Sequence, residues 1–376
     1  MPRILIVTGE ASGDLHGANL ASALRSLRPD VELLGVGGGK MRAAGVRLVQ
    51  GIERLDAIGM VGPAQLLAAL RTYGTLSRFL KENPLEAVVF IDNPGLNLRL
   101  ARVAKRAGHR VIYYIAPQIW AWHGSRIRLI AEVVDRMIVI LPFEEALYRE
   151  AGVRCTFVGH PLLDAVAPSY DRAELRKRVG VNEAARVVGL LPGSRENEVR
   201  ALLPTMLQAA AQLAKSDPTR QFVLAQAPSI EDGLIEALSA GSGLKVHVMR
   251  DQSSEAMAMS DLLLVASGTA TLQAAVIGTP MVLLYRTSWL TYWIGRWLIT
   301  VDCIGLVNIV AGRKIVAELI QQEATPQRLA EEAERLLHSQ AAYNQMRTAL
   351  RDVRDRLGEP GASRRAAEAI LEECAA

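Results

Sequence analysis

One carboxylate and three turns of small residues are the groups of this sequence that could do chemistry. Asp92 directly follows the apolar run 87–91 and precedes Asn93 and Pro94. A carboxylate at the end of a buried strand can act as a general base and accept the proton of a bound hydroxyl group. Alternatively, Asp92 caps the next helix or orders the turn before Pro94. The local sequence by itself favours this structural alternative.

A glycine- and serine-containing turn, residues 9–14 (GEASGD), follows the first apolar run of the chain. Small residues allow a ligand to approach the backbone, and the N-terminus of the following helix favours an anion. The turn lacks the GxGxxG pattern, so a dinucleotide site is only weakly indicated. A structural role, in which Ser12 or Asp14 caps a helix, suits the same residues equally well. The candidate ligand residues here are Gly9, Glu10, Ser12, Gly13 and Asp14.

Two further turns lie in the second half of the chain. Pro192 is followed by Gly193, Ser194 and Arg195, and the second turn comprises residues 267–271 (SGTAT). Backbone amides at a helix N-terminus bind phosphate oxygens, and an arginine can do so with two parallel hydrogen bonds. Either turn alone is compatible with an ordinary loop. Two such turns in one domain favour a ligand with a diphosphate group.

Several other chemistries are not supported by the sequence. Residues 37–41 (GGGKM) resemble a phosphate-binding P-loop, but Met41 stands where that motif needs serine or threonine. There is no Asp-x-Asp pair, and no cysteine or histidine pair has metal-ligand spacing. We therefore expect neither a metal ion nor another cofactor. His16 and His160 lie near the candidate loops, where a lone histidine more often has a structural role.

The composition limits the class of protein. The chain has 376 residues, which is long enough for two or three domains, and its 22% of charged residues is typical of a soluble globular protein. A net charge of +4 without a basic run does not indicate nucleic-acid binding. Three widely spaced cysteines and the absence of a signal-peptide pattern predict a cytosolic location.

One uncharged run, residues 262–285, is long enough on paper to span a membrane. It contains the 267–271 turn and a second turn at Gly278, Thr279 and Pro280. We therefore expect a strand, a helix and a second strand instead of one membrane helix.

The candidate turns lie within a repeated pattern of strand, turn and helix, and this pattern would position them. Continuous apolar runs rich in β-branched residues alternate with helical segments, which indicates a parallel sheet covered on both faces. The pattern restarts at residue 187 after the irregular segment 159–171, and the chain is helical and charged from Thr325 onward. The sequence thus predicts an α/β protein with two doubly wound domains. Strands are expected at residues 4–7, 31–36, 87–91, 111–115, 137–140, 187–191, 222–224, 246–248, 262–265 and 281–284.

Two apolar segments of the sequence are expected to contact another apolar surface. Residues 57–70 carry no charge, and Trp289, Trp293 and Trp297 recur every four residues, which places them on one face of a helix. Such segments can lie at a membrane interface or hold acyl chains. Packing in the core or in a dimer is the alternative.

An ordered set of motifs resembles the lipid-A-disaccharide synthase family, and it spans nearly the whole chain. The set includes the turns and the Asp92 segment described above. Its other members are residues 117–122 (PQIWAW), 141–144 (LPFE), 159–161 (GHP) and 308–313 (NIVAGR).

The resemblance implies a GT-B fold, with two Rossmann-like domains and a deep cleft between them. An N-terminal acceptor domain is expected at residues 1–165, with the C-terminal helix of about 350–376 packing back on it. A UDP-sugar-binding domain is expected at residues 166–349.

The implied activity is that of an inverting, metal-independent glycosyltransferase. It would join UDP-2,3-diacylglucosamine to 2,3-diacylglucosamine 1-phosphate and form a β-1′,6-linked disaccharide plus UDP. Asp92 would be the base, and the 9–14 turn would line the acceptor side. The residues implied for UDP are Gly193, Ser194, Arg195, Ser267, Gly268, Thr269, Gln273 and Asn308. Gln273 departs from the family pattern, which has a glutamate there to bind ribose hydroxyls.

The implied partners are the two acylated sugars and an anionic membrane surface, with a homodimer possible. The enzyme would be peripheral on the cytoplasmic face of the inner membrane. Other UDP-sugar enzymes of this architecture, a transferase of peptidoglycan synthesis or a UDP-sugar epimerase, are alternatives. A nucleotide-sugar-binding protein without catalytic activity is another alternative.

Overall fold

The computed structural model describes residues 2–9, 11–49, 63–117, 126–287 and 303–375. The chain divides into two compact units. The first unit comprises Met1–Asp164 and Leu357–Ala376, and the second unit comprises Ala165–Arg356. The first unit is therefore built from two separate stretches of chain.

The sheet of the first unit has seven parallel strands among the described residues, in the order β3-β2-β1-β4-β5-β6-β7. The strands are β1 Arg3–Val7, β2 Glu32–Val36, β3 Arg47–Leu48, β4 Ala87–Ile91, β5 Arg110–Tyr114, β6 Arg136–Val139 and β7 Cys155–Phe157. The helices are α1 Ala11–Leu27, α2 Gly39–Ala43, α3 Pro63–Glu82, α4 Pro94–Arg106, α5 Arg126–Val133, α6 Glu144–Glu150 and α7 Leu162–Ala165.

The second unit has a six-stranded parallel sheet in its described part, in the order β10-β9-β8-β11-β12-β13. The strands are β8 Val187–Leu191, β9 Gln221–Gln226, β10 Val246–Arg250, β11 Leu262–Ala266, β12 Met281–Tyr285 and β13 Glu318–Ile320. The helices are α8 Arg172–Val179, α9 Glu196–Ser216, α10 Asp232–Ser239, α11 Ser253–Met259, α12 Thr269–Ile277, α13 Leu306–Ala311, the 3₁₀ helix Gln321–Glu323, α14 Pro326–His338 and α15 Gln340–Arg356.

The central strands are buried along their whole length. Every residue of β4, β8 and β11 is buried, as expected for apolar strands that are covered by helices on both faces. The uncharged run 262–285 forms β11, α12 and β12, which confirms the expected strand, helix and strand. Within the residues described, no helix combines the length and the apolar character that a membrane crossing needs.

The last helix, α16 (Ala362–Ala375), belongs to the first unit. Ala366 and Ile370 of α16 join Leu20 and Leu24 of α1 in one buried cluster. Close packing between the two helices requires small residues at the contact, and α16 supplies several alanines there.

Buried charge also attaches α16 to the first sheet. The Glu373 carboxylate, which is 6% exposed, lies 2.7 Å from the Arg154 guanidinium and 3.5 Å from that of Arg110. Arg136 of β6 donates to the carbonyl of Ala369 at 2.9 Å and to the Glu372 carboxylate at 3.0 Å. These bonds tie α16 to strands of the first sheet.

Candidate active site

The two candidate loops of the first unit follow neighbouring strands. β1 pairs directly with β4, and the chain leaves these two strands for opposite sides of the sheet. Such a switch point leaves a crevice at the carboxyl ends of the strands, where open α/β sheets bind ligands. A methyl group on Gly9 would lie 2.8 Å from Cγ of Asn93 and would overlap its amide nitrogen. A side chain at residue 9 would displace the Asn93 amide, so glycine there favours this approach of the two loops.

The backbone at Asp92 and Asn93 is in the left-handed region, with φ of +48° and +43°. Two consecutive non-glycine residues in this region are unusual, and the conformation costs free energy at each of them. Surrounding bonds hold the turn. Asn97 Nδ2 donates to the carbonyls of Ile91 at 3.1 Å and Asp92 at 2.8 Å, and the Tyr113 hydroxyl donates to the Asp92 carbonyl at 2.5 Å.

This turn places the side chain of Asp92 on the surface while its backbone is held from below. Burial raises the pKa of Tyr113 well above its usual value, and the nearby negative charge of Asp92 raises it further. Tyr113 therefore stays protonated and continues to donate its hydrogen bond. An exposed carboxylate on a fixed backbone has the properties that a general base needs.

Asp14, a candidate ligand residue, has a structural role in this fold. Its Oδ1 accepts the amides of Gly38 at 2.7 Å and Met41 at 3.1 Å, and its Oδ2 accepts the amide of Lys40 at 3.0 Å. Asp14 thus caps α2, whereas the sequence suggested a ligand contact or a cap of its own helix. Ser12 and Gly13 lie with Asp14 in the first turn of α1, where Ser12 is exposed and Gly13 is buried. Glu10 lies outside the described residues.

Two histidines of the first unit are close enough to interact electrostatically. Burial, with a smaller contribution from nearby His16, lowers the pKa of His160 to about 4. Nδ1 of His160 accepts the amide of Leu162 at 3.1 Å, which places the ring proton on Nε2 of the neutral side chain. Burial also lowers the pKa of His16. Both side chains are therefore neutral near pH 7.

The two phosphate-type turns of the second unit also follow neighbouring strands. β8 pairs with β11, with Leu191 opposite Val265, so the 192–195 and 267–271 turns lie next to each other at a second switch point. Gly193 has a φ of +115°, which favours glycine. Ser194 and Arg195 are exposed, and Arg195 is the N-cap of α9.

The 267–271 turn is held by its own polar side chains. The Ser267 hydroxyl lies 3.4 Å from the carbonyl of Ile304, and the Thr271 hydroxyl donates to the carbonyl of Gly268 at 2.8 Å. Gly268 is the N-cap of α12, and Thr269 begins the helix with an exposed side chain. Hydroxyl and amide groups are thus available beside the 192–195 turn.

Gln273 lies one turn into α12 and is held from α11. Its Nε2 donates to the Ser254 hydroxyl at 2.7 Å. This bond leaves Oε1 as the free end of the amide, which is the atom that could accept a hydrogen bond from a ribose hydroxyl.

The side chain of Asn308, which the resemblance places at the nucleotide, makes its hydrogen bonds within the protein. Its side chain is fully buried, and Nδ2 donates to the Val316 carbonyl at 2.9 Å and to Glu318 Oε1 at 2.8 Å. Oδ1 accepts the amides of Ile315 at 2.8 Å and Val316 at 2.9 Å. An amide has two donors and about two acceptor sites, and all are used. Asn308 orders the 304–318 segment and does not present its side chain to a nucleotide.

Some expectations fall on residues that the structure does not describe. They are residues 118–122 of the PQIWAW motif, the three tryptophans 289, 293 and 297, and residues 57–62 of the uncharged segment. Within the described ranges, no cluster of three histidine, cysteine, aspartate or glutamate side chains could hold a metal ion.

Three further residues, none of them predicted from the sequence, shape these sites. Asn97 and Tyr113 hold the Asp92 turn, and Glu198 contacts the 192–195 turn. Glu198 carries a recognisable signal, since a glutamate at the third helical position is typical of a capping box. Tyr113 carries none, because an apolar strand of this kind predicts burial but not a hydrogen-bond partner.

Structural comparison shows the fold. A putative UDP-N-acetylglucosamine 2-epimerase from Listeria monocytogenes superimposes with a TM-score of 0.69 at 14% identity, covering 99% of this chain and 96% of the other. Acinetobacter baumannii MurG gives a TM-score of 0.61 at 13% identity, covering 99% and 100%. At this identity the likeness establishes the architecture alone, and it confirms the predicted GT-B fold.

Sequence comparison identifies the family. The profile of the lipid-A-disaccharide synthetase family matches residues 4–372. A lipid-A-disaccharide synthase of Geobacter metallireducens is 45% identical over 371 residues, which cover 98% of this chain and 97% of the relative. That of Myxococcus xanthus is 43% identical over 373 residues, covering 99% and 97%. The chain belongs to the lipid-A-disaccharide synthase family of glycosyltransferases.

Proposed function

We propose that this chain transfers a diacylglucosamine unit from UDP to the 6-hydroxyl of 2,3-diacylglucosamine 1-phosphate. The donor is UDP-2,3-diacylglucosamine, and the products are the β-1′,6-linked disaccharide 1-phosphate and UDP. One observation carries this proposal: a surface carboxylate lies at the switch point of one sheet, and two adjacent phosphate-type turns lie at that of the other. A glycosyl transfer from a nucleotide sugar needs both parts.

Asp92 is the general base of the proposed reaction. Its carboxylate accepts the proton of the acceptor 6-hydroxyl as that oxygen forms a bond to the anomeric carbon of the donor sugar. The bond from that carbon to the diphosphate oxygen breaks at the same time, and UDP carries away the electron pair. A single displacement of this kind inverts the anomeric centre.

The remaining residues of the first unit shape the acceptor side. Gly9 leaves room for the Asn93 side chain and Gly13 for that of Thr8, and exposed Ser12 offers a hydroxyl group. Asp14 acts indirectly, because it holds α2 in place. We assign residues 1–164 and α16 to acceptor binding, with Glu10 a further candidate.

The second unit binds UDP in this proposal. The amides of Gly193 and Ser194, the Arg195 guanidinium, and the turn of Ser267, Gly268 and Thr269 stabilise the negative charge of the departing diphosphate. Gln273 Oε1 accepts a hydrogen bond from the ribose. Asn308 acts as a positioning residue.

We also propose that the enzyme works as a peripheral protein on the cytoplasmic face of the inner membrane. Both proposed substrates carry acyl chains and remain in the lipid phase. A chain with a net charge of +4 is attracted to an anionic surface.

The test is an assay of the purified protein with acylated and non-acylated UDP-glucosamine and the acceptor phosphate, with products identified by mass. We expect the disaccharide only with the acylated donor, at a rate that a chelator leaves unchanged. Epimerised or unchanged donor in place of disaccharide would contradict the proposed reaction. Loss of the rate on chelation would contradict its metal independence.

A further inference from the structure

Glu198 occupies the turn that is assigned to the diphosphate. It is the third residue of α9, and its Oε2 accepts the amides of Ser194 at 3.3 Å and Arg195 at 3.4 Å. Its Oε1 accepts a hydrogen bond from the Arg195 guanidinium at 3.0 Å. One carboxylate therefore contacts two backbone donors and the only side-chain cation of the 192–195 turn.

Part of this arrangement is an ordinary capping box, in which the third helical residue accepts the amide of the N-cap. The additional contacts go beyond it. Oε2 also reaches the amide of Ser194, which lies before the helix, and a methyl group on Gly193 would be only 2.5 Å from that oxygen. The glycine thus leaves the space that the carboxylate occupies.

The Glu198 carboxylate is held weakly enough to leave the donors of the 192–195 turn. Both amide distances exceed the usual 2.7–3.2 Å of such bonds, so these bonds are weak. The Glu198 side chain is 34% exposed and that of Arg195 is 75% exposed, so both can rotate into solvent. A phosphate group offers more charge and more acceptor oxygens to the same donors.

We propose that Glu198 is an internal competitor for the diphosphate site: its carboxylate holds the donors of the empty turn, leaves when UDP-sugar binds, and returns as UDP departs. This inference rests on the proposed function, which places the diphosphate at this turn. Two anions cannot share one set of donors without strong repulsion. Glu198 therefore weakens the binding of UDP and speeds its release.

The test uses Glu198→Gln, which keeps an acceptor oxygen for the cap but removes the charge. By calorimetry, we expect UDP to bind at least about fivefold more tightly to this variant than to the wild-type protein, since one charged competitor is lost. In stopped-flow displacement, UDP should dissociate more slowly by a similar factor. Glu198→Ala, which lacks any acceptor, should also bind UDP more tightly.

Two controls separate competition from other effects. Glu196→Gln removes a charge from the same helical turn, but Glu196 pairs with Arg200 at 2.7 Å and makes no bond to the turn. Its UDP affinity should change by less than about twofold. Uridine, which has no phosphate, should bind equally to the wild-type protein and to both Glu198 variants, and that equality also shows that the variants are folded.

The outcomes are distinguishable. Equal or weaker UDP binding by both Glu198 variants, with unchanged uridine binding, would overturn the role of Glu198 and leave the proposed function standing. Tighter binding of uridine and UDP alike would also overturn it, because the effect would not involve the phosphates. Absence of UDP binding to the wild-type protein would overturn the proposed function as well.

Discussion

Asp92 and Asn93 show how a short polar turn is held in a costly conformation. Each left-handed residue costs about 1 kcal/mol or more, and the bonds from Asn97 and Tyr113 offset that cost. The same bonds fix the direction in which the Asp92 carboxylate leaves the sheet. Backbone strain at this turn thus fits a site that needs a base in one position.

Replacing Asp92 by asparagine should remove the base and little else. The amide is nearly isosteric but cannot accept a proton, so disaccharide formation should fall by at least about a hundredfold. UDP binding should persist, because its proposed site lies in the other unit. Product formation by mass and UDP affinity by calorimetry check the two parts, and unchanged turnover would remove Asp92 from its proposed role.

The pKa of His160 should make the stability of the protein depend on pH. The folded pKa of about 4 lies below the ordinary value of 6.5, so the unfolded chain binds the proton more readily. The stabilisation is complete above about pH 6.5 and is lost as the pH falls toward 4. Between pH 7.5 and 5, about 2 kcal/mol of the free energy of unfolding should be lost through this residue.

The measurement compares the wild-type protein with His160→Asn in denaturant at both pH values. The asparagine Oδ1 can accept the Leu162 amide in place of Nδ1, but it does not titrate. The variant should therefore lose less stability on acidification than the wild-type protein. An equal loss in both proteins would assign the pH dependence to other groups.

At the scale of residues, a sequence can suggest a chemical type but not its surroundings. Asp92 was identified because an acid directly follows an apolar strand. The resemblance places Asn308 at the nucleotide, whereas the structure uses all the hydrogen-bonding groups of its side chain on the backbone at residues 315 and 316 and on Glu318. Those partners lie up to ten residues away, and their approach depends on tertiary packing that the local sequence does not encode.

The start of α1 is linked to the start of α2 by one side chain. Asp14 lies in α1 and accepts three amides from residues 38–41, so one carboxylate fixes the start of α2 against α1. A helix of five residues is too short to be stable alone. Its position therefore depends on this cap and on the burial of Met41.

Asp14→Ala should release α2 and destabilise the protein by about 2 kcal/mol, since three amides lose a charged acceptor. Asp14→Asn keeps Oδ1, which receives two of the three bonds, and should cost less. Denaturant unfolding measures both. Asp30→Ala is the matched control, because Asp30 is 56% exposed and lies 3.4 Å from Arg28 in a surface pair. If Asp14→Ala were no more destabilised than this control, the cap would contribute nothing.

Long apolar strands were predictable, and short edge strands were not. All ten expected strands are present, and their ends agree with the expected ones to within two residues. The expected strand at 111–115 ends at Tyr114, because Ile115 has a φ of +63°. The missed strands β3, β7 and β13 have two or three residues and lie at sheet edges, where too few residues are buried to produce a pattern.

At the scale of the whole chain, α16 completes the first unit. Glu373 is nearly buried among Arg154, Arg110 and Arg136, and such a carboxylate is costly to leave unpaired or to replace. Apolar contacts with α1 and this charge cluster act on the same helix. The attachment of α16 to the first unit should therefore depend strongly on the Glu373 carboxylate.

Glu373→Gln should lower the free energy of unfolding by about 1–2 kcal/mol, because Arg154 and Arg110 lose a charged partner that is itself nearly buried, whereas Arg136 keeps Glu372. The amides of α16 should exchange with solvent faster than in the wild-type protein, as followed by hydrogen–deuterium exchange. Glu368→Gln breaks an exposed pair with Arg364 on the same helix and should change stability by less than about 1 kcal/mol. Similar effects of the two substitutions would contradict the proposed importance of the cluster.

The return of α16 to the first unit sets the order of events during synthesis on the ribosome. Residues 1–164 emerge before the second unit, but α16 is translated only after the 192 residues of that unit. At 5–20 residues per second, the face of α1 that α16 covers waits for roughly 10–40 s. Nascent chains stalled before residue 357 should therefore be cleaved by protease within the first unit, whereas released full-length chains should resist. The second unit, being continuous, can finish folding before the first.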